Sequence, residues 1–273
     1  MEALRIGDVV TRKSYGGDIH FKIAEINSRS SGRRSFVLKG LLYRIIADSE
    51  EDDLEWRSPE QVHRELQDRL TGTGFHHMSR GNTPFSFFQR ARGRSGRILH
   101  IDSSSEFLEM CRKYYEDAKI KVYGRVIPEN EQPGQIRSLL ASTGADVLIV
   151  TGHDGLKKNV TKYNTIDSYR NSRYYIQSTR EARKYEPSYD KLCIFSGACQ
   201  SYFDGIMEAG ANFASSPGRI LIHALDPAKV GDRVALTDSR VYVTPEQIAK
   251  LTQSGSQGIG GVKSKGHYIV QSN

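Results

Sequence analysis

Residues 191–201 have the sequence Lys191-Leu192-Cys193-Ile194-Phe195-Ser196-Gly197-Ala198-Cys199-Gln200-Ser201. The pattern predicts a short apolar strand that ends at Ser196, then two small residues, Cys199, and a helix from Gln200. Open α/β sheets bind ligands at the carboxyl ends of their strands. A helix N-terminus also stabilises a thiolate, which is the nucleophilic form of cysteine. Cys199 is therefore a candidate nucleophile, although on position alone a buried structural cysteine fits equally well.

A second apolar run, residues 145–151, leads into Gly152-His153-Asp154-Gly155. His153 thus follows a predicted strand, as Cys199 does. Because parallel strands present their carboxyl ends at one edge of a sheet, we expect the two side chains at the same edge. An adjacent base activates a cysteine nucleophile, so the order His153 then Cys199 favours catalysis over a structural role.

The composition restricts the class of protein. The chain has 273 residues, 37% of them hydrophobic, and a formal net charge of +7, which favours acidic partners. Mean hydropathy is −0.53, which indicates a polar surface. Three cysteines, at positions 111, 193 and 199, favour a reducing compartment over a disulfide scaffold. The N-terminus lacks the apolar core of a signal peptide, and no apolar run approaches the roughly 20 residues that cross a bilayer. We expect a soluble, intracellular protein without a membrane span.

The predicted elements divide the chain into three parts. Residues 1–57 contain four or five short strands, which suggest a small SH3-like β-barrel. The sequence of residues 58–96 predicts a helix followed by an exposed Arg- and Gly-rich linker, and the basic stretch Arg90–Arg97 lies at the end of this linker. In residues 97–273 strands alternate with helices, which predicts an α/β domain: a parallel sheet with helices on both faces.

Four local expectations complete the prediction of structure. A strand is expected over residues 43–47, and another over residues 219–225, beside the Cys199 strand and closed by Asp226. A helix is expected from Thr244, with proline at its first position. The Gly-rich segment 255–266 has no phosphate-binding motif and is expected to be a mobile loop.

Several motifs resemble a known family. Residues 5–18, Thr151–Gly155 and Phe195–Ser201 resemble the YabG family of sporulation-specific proteases of endospore-forming bacteria, and the likeness runs from end to end. The His and Cys motifs are also similar to those of the caspase-hemoglobinase group, which includes gingipains, clostripain and separase. His153 lies 46 residues before Cys199, close to the roughly 50 of caspases.

This resemblance implies a caspase-hemoglobinase-like fold and a cysteine endopeptidase that cleaves after basic residues, chiefly arginine. Its implied partners are spore coat and cortex-related proteins, and its implied location is the mother-cell cytoplasm or the spore coat. Cys199 would attack a peptide carbonyl, and His153 would protonate the leaving amine. The backbone N–H of Cys199 and that of Asp154 or Gly155 would bind the oxyanion. In the caspase pattern glycine follows the histidine directly, and here Asp154 intervenes.

A pocket for arginine needs a carboxylate near the nucleophile, because a bidentate Arg–carboxylate pair supplies both charge and geometry. Asp226 is the first candidate for binding the substrate, and Asp204 and Asp154 are rivals. Asp226 fits the start of a helix before Pro227 equally well. An Arg-directed protease is also expected to process itself, and Arg90–Arg97 offers several exposed arginines.

Two other functions fit the sequence. Gly197-x-Cys199-x-Ser201 approximates a nucleophile elbow, so a different cysteine hydrolase would use His223 or His267 as its base. The barrel and the Arg-rich linker also fit a non-catalytic RNA- or coat-binding protein, which makes nucleic acid a secondary partner. No cofactor is expected. No metal is expected either, because His76-His77 lacks spaced ligand partners.

Overall fold

The computed structural model describes residues 3–28, 33–72 and 93–270. It divides the chain into two compact units. The smaller comprises Met1–Leu42 and Ile46–Arg92, and the larger comprises Tyr43–Ile45 and Gly93–Asn273. The expected strand over residues 43–47 is therefore only partly right: a strand begins at Ile46, whereas Tyr43–Ile45 packs with the larger unit.

The smaller unit contains a five-stranded antiparallel sheet in the order β4-β3-β2-β1-β5. Phe21 and Ile23 of β2, and Phe36 and Leu38 of β3, are buried at alternate positions, as expected where one face of a sheet covers a core. The adjacent residues His20 and Val37 are buried as well. Closure into an SH3-like barrel stays a prediction. The elements are β1 (Val9–Arg12), β2 (His20–Ser28), β3 (Arg34–Gly40), β4 (Ile46–Glu50), β5 (Leu54–Trp56) and helix α1 (Pro59–Gly72).

The larger unit is built on a six-stranded sheet in the order β13-β11-β10-β9-β7-β8, in which β7 to β11 are parallel and β13 is antiparallel. The central strands β7, β9 and β10 are buried along their whole length, as in parallel sheets covered on both faces. The strands are β6 (Gly93–Arg94), β7 (Ile98–Asp102), β8 (Val122–Val126), β9 (Val147–Val150), β10 (Cys193–Ser196), β11 (Phe213–Ser215), β12 (Tyr242–Val243), β13 (Ile259–Gly261), β14 (Ser264–Lys265) and β15 (Ile269–Val270).

Helices cover both faces of this sheet, as predicted. On one face, Leu99 and Leu148 pack in a cluster with Leu140 and Tyr175. On the other face, Gly231 lies against Ile98 and Ile149. The helices are α2 (Ser105–Asp117), α3 (Gln132–Thr143), α4 (Ser172–Tyr185), α5 (Phe203–Glu208), α6 (Asp226–Leu236), α7 (Pro245–Ala249) and α8 (Gly255–Gly258).

Three expectations for the C-terminal half meet different outcomes. The strand over residues 219–225 is wrong: β10 pairs with β11 instead, and residues 219–225 form a loop that is buried from Ile222 onward and ends where α6 begins. The apolar residues of that loop pack without a strand ladder. The helix after Thr244 is confirmed and carries a capping box. The Gly-rich segment 255–266 contains α8, β13 and β14 rather than an unstructured loop.

The predicted Arg-rich linker and His76-His77 lie largely outside the described residues, as does Arg90–Arg92. The end of that stretch, β6, pairs with β15. Over residues 3–28, 33–72 and 93–270, no helix is long and apolar enough to cross a membrane.

Candidate active site

The carboxyl ends of β7, β9 and β10 meet at one edge of the sheet. Asp102 ends β7, His153 follows β9 by three residues, and Cys199 follows β10 by three. The hydroxyl of Thr151 donates to the carbonyl of Gly197 at 2.8 Å and ties the last two loops together. The topology therefore brings the predicted nucleophile and base to the same edge, as the sequence indicated.

Cys199 is fully buried, and its Sγ accepts the backbone N–H of Ile222 at 3.0 Å. The helix expected from Gln200 begins only at Phe203, so no helix N-terminus stabilises a thiolate here. Burial raises the pKa of the thiol above its ordinary value, although the Ile222 N–H opposes that shift. The thiol in this state is therefore protonated and needs a base before it can attack.

The turn before Cys199 requires glycine. Gly197 has φ of +112°, which L side chains rarely adopt, and a Cβ there would lie 2.7 Å from the Oγ of Ser215. This glycine lets the chain leave β10 and present Cys199 at the edge of the sheet.

His153 is held through its backbone. Its N–H donates to Glu129 at 2.8 Å, and its carbonyl accepts from Asn171 at 2.8 Å and from Tyr175 at 3.1 Å. The imidazole stacks on Phe107, with 5.1 Å between the ring centroids. These contacts fix both the loop after β9 and the plane of the ring.

Two backbone N–H groups converge on one carbonyl oxygen. Asp154 donates to the carbonyl oxygen of Arg44 at 3.1 Å, and Cys199 donates to the same atom at 3.2 Å. The N–H of Gly155 instead donates to the carboxylate of Asp154 at 2.8 Å. Of the three predicted oxyanion donors, Asp154 and Cys199 thus point to a shared position, and Gly155 does not.

The side chain of Arg44 is fully buried in the same unit. Its Nη1 pairs with Oδ2 of Asp102 at 2.7 Å, and its Nη2 donates to the carbonyl of Ala224 at 2.7 Å. The guanidinium also lies over the ring of Phe107, 4.7 Å from its centroid. Burial alone would raise the pKa of Asp102, but the Arg44 charge together with His100 and the Ser104 N–H outweighs burial and holds that pKa below its ordinary range.

The acids that the sequence proposed for an arginine pocket have other contacts. Asp226 accepts from the N–H of Gln253 and from the N–H and hydroxyl of Ser254. Asp204 is exposed on α5. Sequence reasoning missed Asp102, although Asp102 ends an apolar strand and so satisfies the rule that singled out His153 and Cys199.

Asp154 is also fully engaged. Its carboxylate accepts from Gly155 N, Asn171 N, Ser172 Oγ and Ser201 Oγ at 2.6–2.9 Å. Burial raises its pKa to about 6 against the effect of these donors. Asp154 therefore joins the loops that carry His153 and Cys199.

The two rival bases differ in their surroundings. His223 is buried, its Nδ1 accepts the N–H of Leu225 at 3.2 Å, and burial lowers its pKa to about 4. Burial also lowers the pKa of His267, whose backbone N–H donates to Val234. The described residues contain no group of three or more His, Cys, Asp or Glu side chains that could hold a metal ion.

A family model described as YabG peptidase U57 matches residues 5–272. The chain belongs to this peptidase family. It is 32% identical over 286 residues to the sporulation-specific protease YabG of Bacillus subtilis (strain 168), and the alignment covers 96% of this chain and 95% of that relative. No solved structure gave a significant match. Family membership confirms the resemblance inferred from the sequence motifs.

Proposed function

We propose that this peptidase is a cysteine endopeptidase of sporulating cells that cleaves proteins after arginine, with Cys199 as nucleophile and His153 as base. The observation that carries the proposal is the convergence of the Asp154 and Cys199 N–H groups on one peptide carbonyl oxygen. Such a pair of donors, one of them on the nucleophile, has the geometry of an oxyanion hole.

The chemistry follows from these groups. His153 takes the Sγ proton of Cys199, and the sulfur attacks the substrate carbonyl carbon. Negative charge develops on the carbonyl oxygen, where the Cys199 and Asp154 N–H groups stabilise it. His153 then protonates the leaving amine, and water hydrolyses the thioester. Because burial raises the pKa of the Cys199 thiol, the base must act in the attacking step rather than maintain a standing thiolate.

The preference for arginine is supported by the identity of the residue whose carbonyl oxygen accepts from the Asp154 and Cys199 N–H groups. That residue is Arg44, and its guanidinium reaches a buried carboxylate at the same sheet edge. The sporulation setting and the coat and cortex-related substrates rest on the family and on the Bacillus subtilis relative. The mother cell and the spore coat are the corresponding locations.

The test compares wild type with Cys199→Ala, His153→Ala, His223→Ala and Cys193→Ala on an Arg-containing protein, with fragments identified by mass spectrometry. Cys199→Ala should reduce cleavage to background, and His153→Ala should reduce it by roughly 10²- to 10⁴-fold. Cys193 is the matched control, because it is equally buried and lies within β10 rather than after it.

Thermal melts establish that each variant folds. Loss of activity in His223→Ala with retention in His153→Ala would favour the other cysteine hydrolase mechanism. Cleavage that survives Cys199→Ala would refute the cysteine mechanism. Absence of any Cys199-dependent cleavage would leave the non-catalytic RNA- or coat-binding function as the better account.

A further inference from the structure

The segment Tyr43–Ile45 lies in the site as an extended peptide. The N–H of Arg44 donates to the carbonyl of Ile222 at 3.0 Å, and Tyr43 forms an antiparallel bridge with His223. Ile222 is also the residue whose N–H donates to Cys199 Sγ. Addition of a strand to the backbone beside a nucleophile is a common way to bind peptides.

Two independent features of Arg44 match a residue whose carbonyl is about to be attacked. Its carbonyl oxygen accepts from the Cys199 and Asp154 N–H groups, and its backbone N–H donates to the carbonyl of Ile222, the residue whose own N–H donates to Cys199 Sγ. Its side chain is enclosed by Asp102, the Ala224 carbonyl and the Phe107 ring. A structural ion pair would need only the side-chain contacts, so it would not account for the position of the carbonyl.

We propose that the Arg44–Ile45 peptide bond is this peptidase's own cleavage site, held in cis with Arg44 in an arginine pocket whose acid is Asp102. The inference rests on the proposed function, since it uses Cys199 as the nucleophile. It replaces Asp226 with Asp102 as the residue that determines specificity, and it adds a processing site upstream of Arg90–Arg97.

Cleavage of the Arg44–Ile45 bond needs only Cys199, His153 and water. The Cys199 Sγ–H proton passes to His153 as sulfur bonds to the Arg44 carbonyl carbon. The bond from that carbon to the Ile45 nitrogen breaks, and His153 gives its proton to the new amine. Water then attacks the thioester, gives a proton to His153, and releases the Arg44 carboxylate. The thiol is regenerated when His153 returns that proton.

The uncleaved peptidase should therefore be latent toward other substrates. While Arg44 occupies the pocket and the two N–H donors, another arginine cannot. Cleavage separates residues 1–44 from residues 45–273 and allows the pocket to exchange its occupant. Because β3 and β4 flank the cut and pair with each other inside the smaller unit, the pieces can stay associated, and the products must be analysed under denaturing conditions.

The first experiment incubates purified full-length protein and measures denatured masses and new N-termini. Wild type should yield equal amounts of residues 1–44 and of a fragment that starts at Ile45, and Cys199→Ala should yield neither. Arg137→Ala, a matched change at an exposed arginine of the same unit, should be processed like wild type. If wild type cleaves an added protein after arginine while its own Arg44–Ile45 bond stays intact, the inference is overturned and the proposed function stands. If wild type cleaves neither, the proposed function itself fails.

A pair of variants separates processing from occupancy. Arg44→Ala removes both the cleavage site and the guanidinium, so it should give no fragment that starts at Ile45 yet cleave an added protein without a lag. Ile45→Pro keeps Arg44 and its contacts with Asp102 but replaces the scissile amide, so it should give no fragment and remain latent. Equal activity of the two variants on the added protein would overturn the inference. Ile45→Pro keeps the test valid if Arg44→Ala fails to fold.

Discussion

Replacement of Asp102 by asparagine should remove the selectivity for arginine. The substitution is best made in the Arg44→Ala background, where the guanidinium that now fills the pocket is absent. The asparagine side chain would present a neutral amide where Oδ2 of Asp102 lies 2.7 Å from the guanidinium. Because Asp102 is fully buried, water cannot replace the lost contact.

The magnitude follows from that burial. Removal of one partner of a buried, hydrogen-bonded charge pair costs about 2–5 kcal/mol. Since 1.4 kcal/mol corresponds to a factor of ten, kcat/KM for an arginine peptide should fall by roughly 30-fold to several thousand-fold. The other close neighbour of Asp102, His100, does not compensate, because burial lowers the pKa of that imidazole and keeps it neutral.

The assay compares two peptides that differ at one residue, arginine or citrulline, which has a neutral urea in place of the guanidinium. The Arg44→Ala enzyme should prefer arginine strongly, and Arg44→Ala/Asp102→Asn should have an arginine-to-citrulline ratio near one. The matched control is Arg44→Ala/Asp226→Asn, which changes an equally buried carboxylate at the start of α6. That control should lower the melting temperature and leave the ratio unchanged. If Asp226→Asn collapses the ratio and Asp102→Asn preserves it, the assignment of the pocket is wrong.

Two further predictions concern stability and are measured by urea unfolding in the Cys199→Ala background. Burial lowers the pKa of His223 to about 4, so the folded state binds this proton less readily than the unfolded state, and stability should fall as pH decreases from about 6.5 to about 4. At pH 4.5 this effect should cost wild type roughly 2–3 kcal/mol of its free energy of unfolding, and His223→Gln should not show that cost. If the free energy of unfolding of His223→Gln has the same pH dependence as that of wild type, the prediction is refuted. Gly197→Ala should destabilise by about 1–3 kcal/mol, because φ of +112° and the nearby Ser215 Oγ both exclude a Cβ, and a wild-type midpoint would contradict that geometry.

The central sheet could be predicted because its strands are short apolar runs that alternate with helices. β7, β9 and β10 lie where the sequence placed them, and the edge of the sheet that carries His153 and Cys199 follows from their direction. The same signal failed for residues 219–225, where apolar side chains are buried by packing and the backbone forms an isolated bridge, at His223, rather than a ladder with any of the described strands. An apolar run indicates that its residues are buried, and in that loop the buried residues do not form a strand ladder.

Arg44 could not be found by local patterns. Its neighbours in sequence indicate a strand of the smaller unit, and its partners Asp102 and Ala224 lie 58 and 180 residues away. A buried arginine is unusual enough to suggest a paired carboxylate, but the sequence does not indicate which carboxylate that is. The long-range fold alone determines this pairing.

What distinguishes Asp102 from the other buried acids of the edge is its pairing with a guanidinium. Asp154 accepts from four donors of its own and neighbouring loops, and Asp226 accepts from three donors contributed by Gln253 and Ser254. Both carboxylates are therefore committed to holding backbone in place. Asp102 accepts the Ser104 N–H on Oδ1 at 2.9 Å, and Oδ2 lies 2.7 Å from the Arg44 guanidinium and 3.6 Å from Nε2 of His100. Because burial keeps His100 neutral, that imidazole brings no charge to the carboxylate. A buried carboxylate is costly unless a cation reaches it, so this environment makes arginine the side chain that best fills the pocket.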